Sequence, residues 1–194
     1  MVHVQKDFNH LLGKMKGISD KQMTAHFGLY GGYVKKLNEI EEKLKTADPA
    51  TANYSYGDFS ELKRRETVAF NGSYLHQYYF ENLTGDKTEP SKDFKKAVDA
   101  SFENWDKFIA NMKACAASTP GWVLITKNEI DGKLHSYVTY EHMNHTPVFQ
   151  KIVLALDCWE HAFMIDYGTN KADYVKAFLE NVDWNVVSKR FDKA

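Results

Sequence analysis

An α+β fold is predicted: an N-terminal helical hairpin packed on a C-terminal domain of helices around a three-stranded antiparallel sheet. Three observations point to it. Helical periodicity dominates the chain up to about Ala117. After Thr119-Pro120-Gly121 the texture changes to short apolar, β-rich runs. Helical pattern then resumes near Asp157, so the strands are bracketed by helices instead of alternating with them. A polar break at residues 84–91 (TGDKTEPS) divides the chain into an expected hairpin domain, 1–88, and a mixed domain, 89–194.

Taken in order, Ser19-Asp20-Lys21-Gln22 is an S-x-x-Q capping box, from which a helix can run to about Lys45. Its charged end carries Glu41 and Lys45 at i,i+4, a pairing suited to an exposed helix face. Residues 46–57 (TADPATANYSYG) form a loop, and a second helix spans roughly Asp58 to Asn82, aromatic-rich after Phe70. From Lys92 to Ala117, Phe94, Val98, Phe102, Trp105, Phe108, Ile109 and Met112 give one apolar stripe and predict a third helix. Trp122–Thr126, Leu134–Tyr140 and Lys151–Leu156 are the candidate strands, the first two joined across an Asp131-Gly132 turn. Helical pattern returns near Asp157 and again from Lys171 to Arg190.

Composition narrows the function classes. A chain of 194 residues, 43% hydrophobic, can bury roughly 70% of its unfolded surface in a core. With a net charge of −1 it lacks the concentrated basic surface that nucleic-acid binding requires. No apolar run approaches the length of a membrane span, and the start MVHVQKDFNH has no signal-peptide core. Two cysteines, Cys115 and Cys158, exclude a disulfide framework and suit a cytoplasmic location.

The chemistry concentrates in Asp157-Cys158-Trp159-Glu160-His161. Asp157 and His161 lie four residues apart directly after a strand, where a tight turn can aim both side chains at one point. A carboxylate and an imidazole so placed suit a transition metal. An N-capping Asp with an incidental His one turn later explains the same spacing. Two further histidines stand on helices: His76 within an aromatic face, where an unsatisfied imidazole is costly, and His26, with Tyr33 two helical turns on. Periodicity does not bring two helices and a late turn together, so spacing alone leaves both explanations open.

At this point the chain resembles the iron/manganese superoxide dismutase family, from about Ile18 to Phe191. Asp157 to Ala162 match the family's D-x-W-E-H-A signature, continued by Asp166-Tyr167, Asp173-Tyr174-Val175 and Asn181-Val182-Asp183-Trp184. Gly121 to Asn128 and Asp131 to Leu134 are similar to the family's G-W strand and hairpin. The resemblance implies that His26, His76, Asp157 and His161 bind one iron or manganese ion per subunit. It implies superoxide as substrate, and a homodimer or tetramer in which Glu160 pairs with His161 of a second subunit. It also implies catalytic outer groups: Tyr33 as the tyrosine beside the bound solvent, and His142, next to His145 in the loop, as the outer-sphere histidine. Trp122 and Trp159 would wall the metal, Cys158 would be a buried small hydrophobe, and Ala155 leaves iron or manganese open.

The chain also departs from the family pattern. The helix after the first ligand reads HFGLYGGY, with Tyr30 in place of a histidine and one residue missing before Tyr33, which predicts a bulge at Gly31-Gly32. Met164, Phe80 and Lys171 replace a tyrosine, a tryptophan and an arginine. These changes leave room for a dismutase-fold metal-binding protein with altered or lost activity. A His/carboxylate set is also compatible with a metal-dependent oxidase or hydrolase.

Overall fold

A computed structural model describes residues 2–143 and 147–194. Ser19 caps α1 (Asp20–Leu44), its hydroxyl oxygen accepting from the Gln22 amide at 3.1 Å. A short 3-10 turn at Pro49–Thr51 then leads into α2 (Asp58–Glu81). The two helices run antiparallel along one another: the His26 and His76 rings meet, and Tyr33 packs over Gly72. Phe8, Phe27, Tyr30 and Phe80 fill one end of their interface with ring contacts of 4.8–6.4 Å.

Helix α1 is continuous through Gly31-Gly32, so the expected bulge is not formed. None is needed. Seven residues at 3.6 per turn bring Tyr33 almost two full turns past His26, already on the same face.

The apolar stripe read as one helix from Lys92 to Ala117 is two helices, α3 (Lys92–Phe102) and α4 (Trp105–Ala117). The break falls at Glu103, which adopts φ 72°, and Asn104 then caps α4 by accepting from the Lys107 amide. A chain in the left-handed region cannot continue a right-handed helix. The turn lets both halves press Phe94, Trp105 and Phe108 against Trp184 of α7 (Trp184–Lys193). Burying each such ring contributes about 1.5–3 kcal/mol. Likewise the pattern from Lys171 to Arg190 divides into α6 (Lys171–Glu180) and α7, with Asp183 capping the second.

The sheet has the order β2-β1-β3, from β1 (Trp122–Asn128), β2 (Leu134–Thr139) and β3 (Gln150–Asp157), all antiparallel. Central β1 and the end of β3 are buried, as their nearly unbroken apolar runs require. The register pairs Trp122 with Asp157, so the last residue of β3 is held by the first of β1. Beyond it the chain makes one 3-10 turn, Glu160–Ala162, and the four-residue α5 (Met164–Tyr167). Among the described residues no helix is long and apolar enough to cross a membrane.

Candidate metal centre

Four donors from four places in the chain meet behind the hairpin. His26 projects from α1, His76 from α2, Asp157 ends β3, and His161 sits in the 3-10 turn. Asp157 Oδ2 lies 3.1 Å from His26 Nε2, 3.1 Å from His161 Nε2 and 3.5 Å from His76 Nε2. The Nε2 atoms of His76 and His161 are 3.3 Å apart. Ligands about 2.1 Å from a shared centre stand about 3.0–3.6 Å from their neighbours. These four separations fall in that range and all four donor atoms lie within 4.8 Å of one another, so the set fits a metal ion.

Electrostatics agree with that fit. Burial pushes the His26 imidazole below its ordinary value and takes His76 down to about 3, keeping both neutral and able to donate a lone pair. Burial alone would raise Asp157, but the facing His161 and His26 imidazoles, both within hydrogen-bond distance, outweigh it and hold the carboxyl well below the usual range. The His76 Nδ1–H donates to the Gly72 carbonyl at 2.5 Å, which fixes the proton on Nδ1 and frees Nε2. Asp157 serves both roles open in the sequence: Oδ1 accepts from the Trp159 amide at 2.9 Å, capping the turn, while Oδ2 faces the imidazoles. From behind, the Tyr174 hydroxyl donates to the Asp157 carbonyl at 2.8 Å.

Tyr33 and His142 are brought together at one side of the centre. Trp122 Nε1–H donates to His142 Nδ1 at 2.9 Å, so the neutral ring carries its proton on Nε2. That Nε2–H, 2.7 Å from the Tyr33 hydroxyl, donates to it and leaves the tyrosine O–H free to donate onward. Asn71 Nδ2 holds the His142 carbonyl at 2.6 Å. Burial, then the Asp157 charge, raises Tyr33, and burial lowers His142.

The remaining sequence candidates fall as follows. Trp122 is more than an apolar wall, since its N–H orients His142; a buried indole's need for an acceptor was the available signal. Asn71 and Tyr174 carried no such signal, because neither partner is near in sequence. Tyr30 is buried against Phe8, Phe80 and the His76 ring, its hydroxyl accepting from the Lys6 amide at 3.2 Å. Lys171 donates to the Thr119 carbonyl at 2.7 Å, and Cys158 is buried, its thiol pushed up by burial. Glu160 and Met164 are exposed beside the His161 turn. His145 lies outside the described residues.

A three-histidine, one-carboxylate centre between a helical hairpin and a three-stranded sheet, buried but for His161, marks an α+β protein with a candidate metal site. Residues 90–190 match the family model described as iron/manganese superoxide dismutases, C-terminal domain. An iron superoxide dismutase of Aquifex pyrophilus is 37% identical, aligned over all of this chain and 93% of its own. One from Cupriavidus metallidurans is 35% identical over all of this chain and 98% of its own. A manganese superoxide dismutase of Halobacterium salinarum is 30% identical over 91% of this chain and 88% of its own. The chain belongs to the iron/manganese superoxide dismutase family.

Proposed function

We propose that this protein is a superoxide dismutase in which His26, His76, Asp157 and His161 hold one iron or manganese ion. The observation that carries the reading is the convergence of three Nε2 atoms on the buried Asp157 Oδ2. The ion, when bound, supplies a one-electron couple that oxidises one superoxide to oxygen and reduces the next to hydrogen peroxide. Asp157 would offset one unit of its charge, and the three imidazoles, binding as neutral donors, would add none. Tyr33 stays protonated at neutral pH and presents its O–H as proton donor, with His142 Nε2–H holding the phenol oxygen in place. Trp122, Trp159 and Phe80 keep water off the ligands. Superoxide disproportionation, assayed with metal analysis on iron- and manganese-loaded protein, tests the reading. Activity per bound metal is expected, and metal-replete protein without activity overturns it.

We further propose a two-fold homodimer, the unit of any tetramer, in which Glu160 accepts from His161 of the second copy. Among the described residues the hydrogen bonds of the His161 ring all run through Nε2, and the side chain is 29% exposed, so Nδ1 is available to a partner. Glu160→Ala should weaken association in sedimentation and lower metal retention together. Two unpaired thiols fit a reducing compartment such as the cytoplasm.

A further inference from the structure

We infer that Gln22 is a positioning residue that grips the His161 turn and so sets how long the centre keeps its metal. The inference rests on the metal-site reading above. The sequence Ser19-x-x-Gln22 predicts that the glutamine folds back to the Ser19 amide. It does not. The Ser19 amide donates to Asp166 Oδ2 at 2.7 Å, and the Ser19 hydroxyl to Asp166 Oδ1 at 2.6 Å. With its local duty taken over by Asp166, the Gln22 side chain points inward and is 1% exposed. There its Nε2–H donates to the His161 carbonyl at 2.6 Å and its Oε1 accepts from the Ile165 amide at 3.0 Å. One amide thus spans the ligand turn from His161 to the start of α5.

That turn is the least anchored of the four ligand supports. His26 and His76 stand within helices of 25 and 24 residues, and Asp157 is paired to the central strand. His161 belongs to a three-residue 3-10 turn followed by a four-residue helix, elements too short to be stable alone. Its side chain is 29% exposed, against 0–1% for the other three ligands. A metal leaving the centre, or a chelator reaching it, therefore passes by displacement of this turn. Gln22 lies one helical turn before His26 on the same face of α1. Its amide ties the helix carrying the first ligand to the backbone of the last.

The test uses the manganese-loaded full chain and follows metal transfer to excess EDTA below the unfolding temperature. Alongside it are recorded the urea midpoint and the visible band of the oxidised metal. Gln22→Met keeps the volume and removes both hydrogen bonds; Gln22→Glu keeps the acceptor for Ile165 and loses the donor to His161. Ser188→Ala is the control, deleting a buried polar contact to Ser91 and Trp184 far from the centre. Gln22→Met is expected to release metal roughly 10–100-fold faster, the loss typical of groups that orient metal ligands, and to shift the visible band. Gln22→Glu should fall between it and the parent, and it carries the test should Gln22→Met fail to fold. Ser188→Ala should keep the parent's release rate whatever its urea midpoint. Unchanged release in the Gln22 variants, or release that follows the urea midpoint across all three variants, overturns the inference. A parent protein that takes up neither iron nor manganese overturns the metal-site reading instead.

Discussion

The two helices of the hairpin each deliver one imidazole, yet they hold it by different means. On α2, His76 is fixed by a hydrogen bond from Nδ1–H to the carbonyl one turn earlier. On α1, His26 Nδ1 is buried with no hydrogen-bond partner among the described residues. Its ring is oriented by contacts with Phe80 at 4.8 Å and Tyr79 at 5.0 Å, and by Asp157 at 3.1 Å. Leaving an N–H unpaired in the interior costs about 1–3 kcal/mol. Ring packing can therefore replace the Nδ1 hydrogen bond in orienting an imidazole when a shared carboxylate supplies direction at Nε2. The same contrast extends to the glycines: Gly72 of α2 is filled by the Tyr33 ring, whereas Gly32 of α1 faces open space.

The largest effect should come from removing what both sides share. Asp157→Asn takes the charge from the oxygen common to all three imidazoles and should lower metal affinity by more than about 100-fold, read by metal analysis after dialysis. Retained metal would mean that packing holds the site unaided. Tyr33→Phe should cut turnover about tenfold or more while metal content stays unchanged, separating proton supply from binding. Next, the glycine pair should diverge. At Gly72 an added Cβ would meet the Tyr33 ring at 2.5–2.8 Å, so Gly72→Ala should cost about 1–3 kcal/mol and depress turnover by moving Tyr33. Gly32→Ala should instead stabilise by about 0.5–1 kcal/mol in denaturant unfolding. Equal outcomes would dissolve the distinction between the two helices.

The smallest effect concerns the far end of α2. Burial alone would raise Glu81, but hydrogen bonds from Lys6 and Arg190 prevail and hold its carboxyl below the ordinary 4.5. A depressed folded-state value gives stability that is full above about pH 4.5 and lost as pH falls through the folded value. The stability difference between the parent and Glu81→Gln should therefore shrink on acidification below that point, measured by urea unfolding against pH.

Much of this architecture was legible in the sequence. The ends of α1 and α2 and all three strands follow from caps, turns and periodicity, because each signal lies within a few residues of its element. The α3–α4 break escaped because the apolar stripe continues in step across Glu103, and only the Asn104 cap marks the restart. The bulge expected at Gly31-Gly32 came from comparing residue counts with other chains, whereas the helix itself needed only its own spacing. Family resemblance supplied the candidate ligand set; periodicity did not, since residues 26, 76 and 157 meet only through the tertiary fold. For the same reason the diversion of Gln22 away from its capping box was illegible: Asp166, which displaces it, lies 147 residues from Ser19.

Asn82, at the end of α2, is wholly buried and is held by β3 and by α7 with its N-cap. Its Nδ2 donates to the Ala155 carbonyl of β3, its Oδ1 accepts from Arg190 of α7, and its own carbonyl accepts from the Asp183 amide. Beside it, the Thr84 amide donates to the Asn181 carbonyl, and Leu83 bridges to Val182. Each of these contacts joins a residue before 85 to one after 90, so the covalent link through 85–90 adds little to the seam it crosses. A peptide bond cut within that stretch would leave two fragments still zipped together, each carrying two of the four candidate metal ligands. Such a split molecule could part only by exposing Asn82 and stranding half a metal site on either piece.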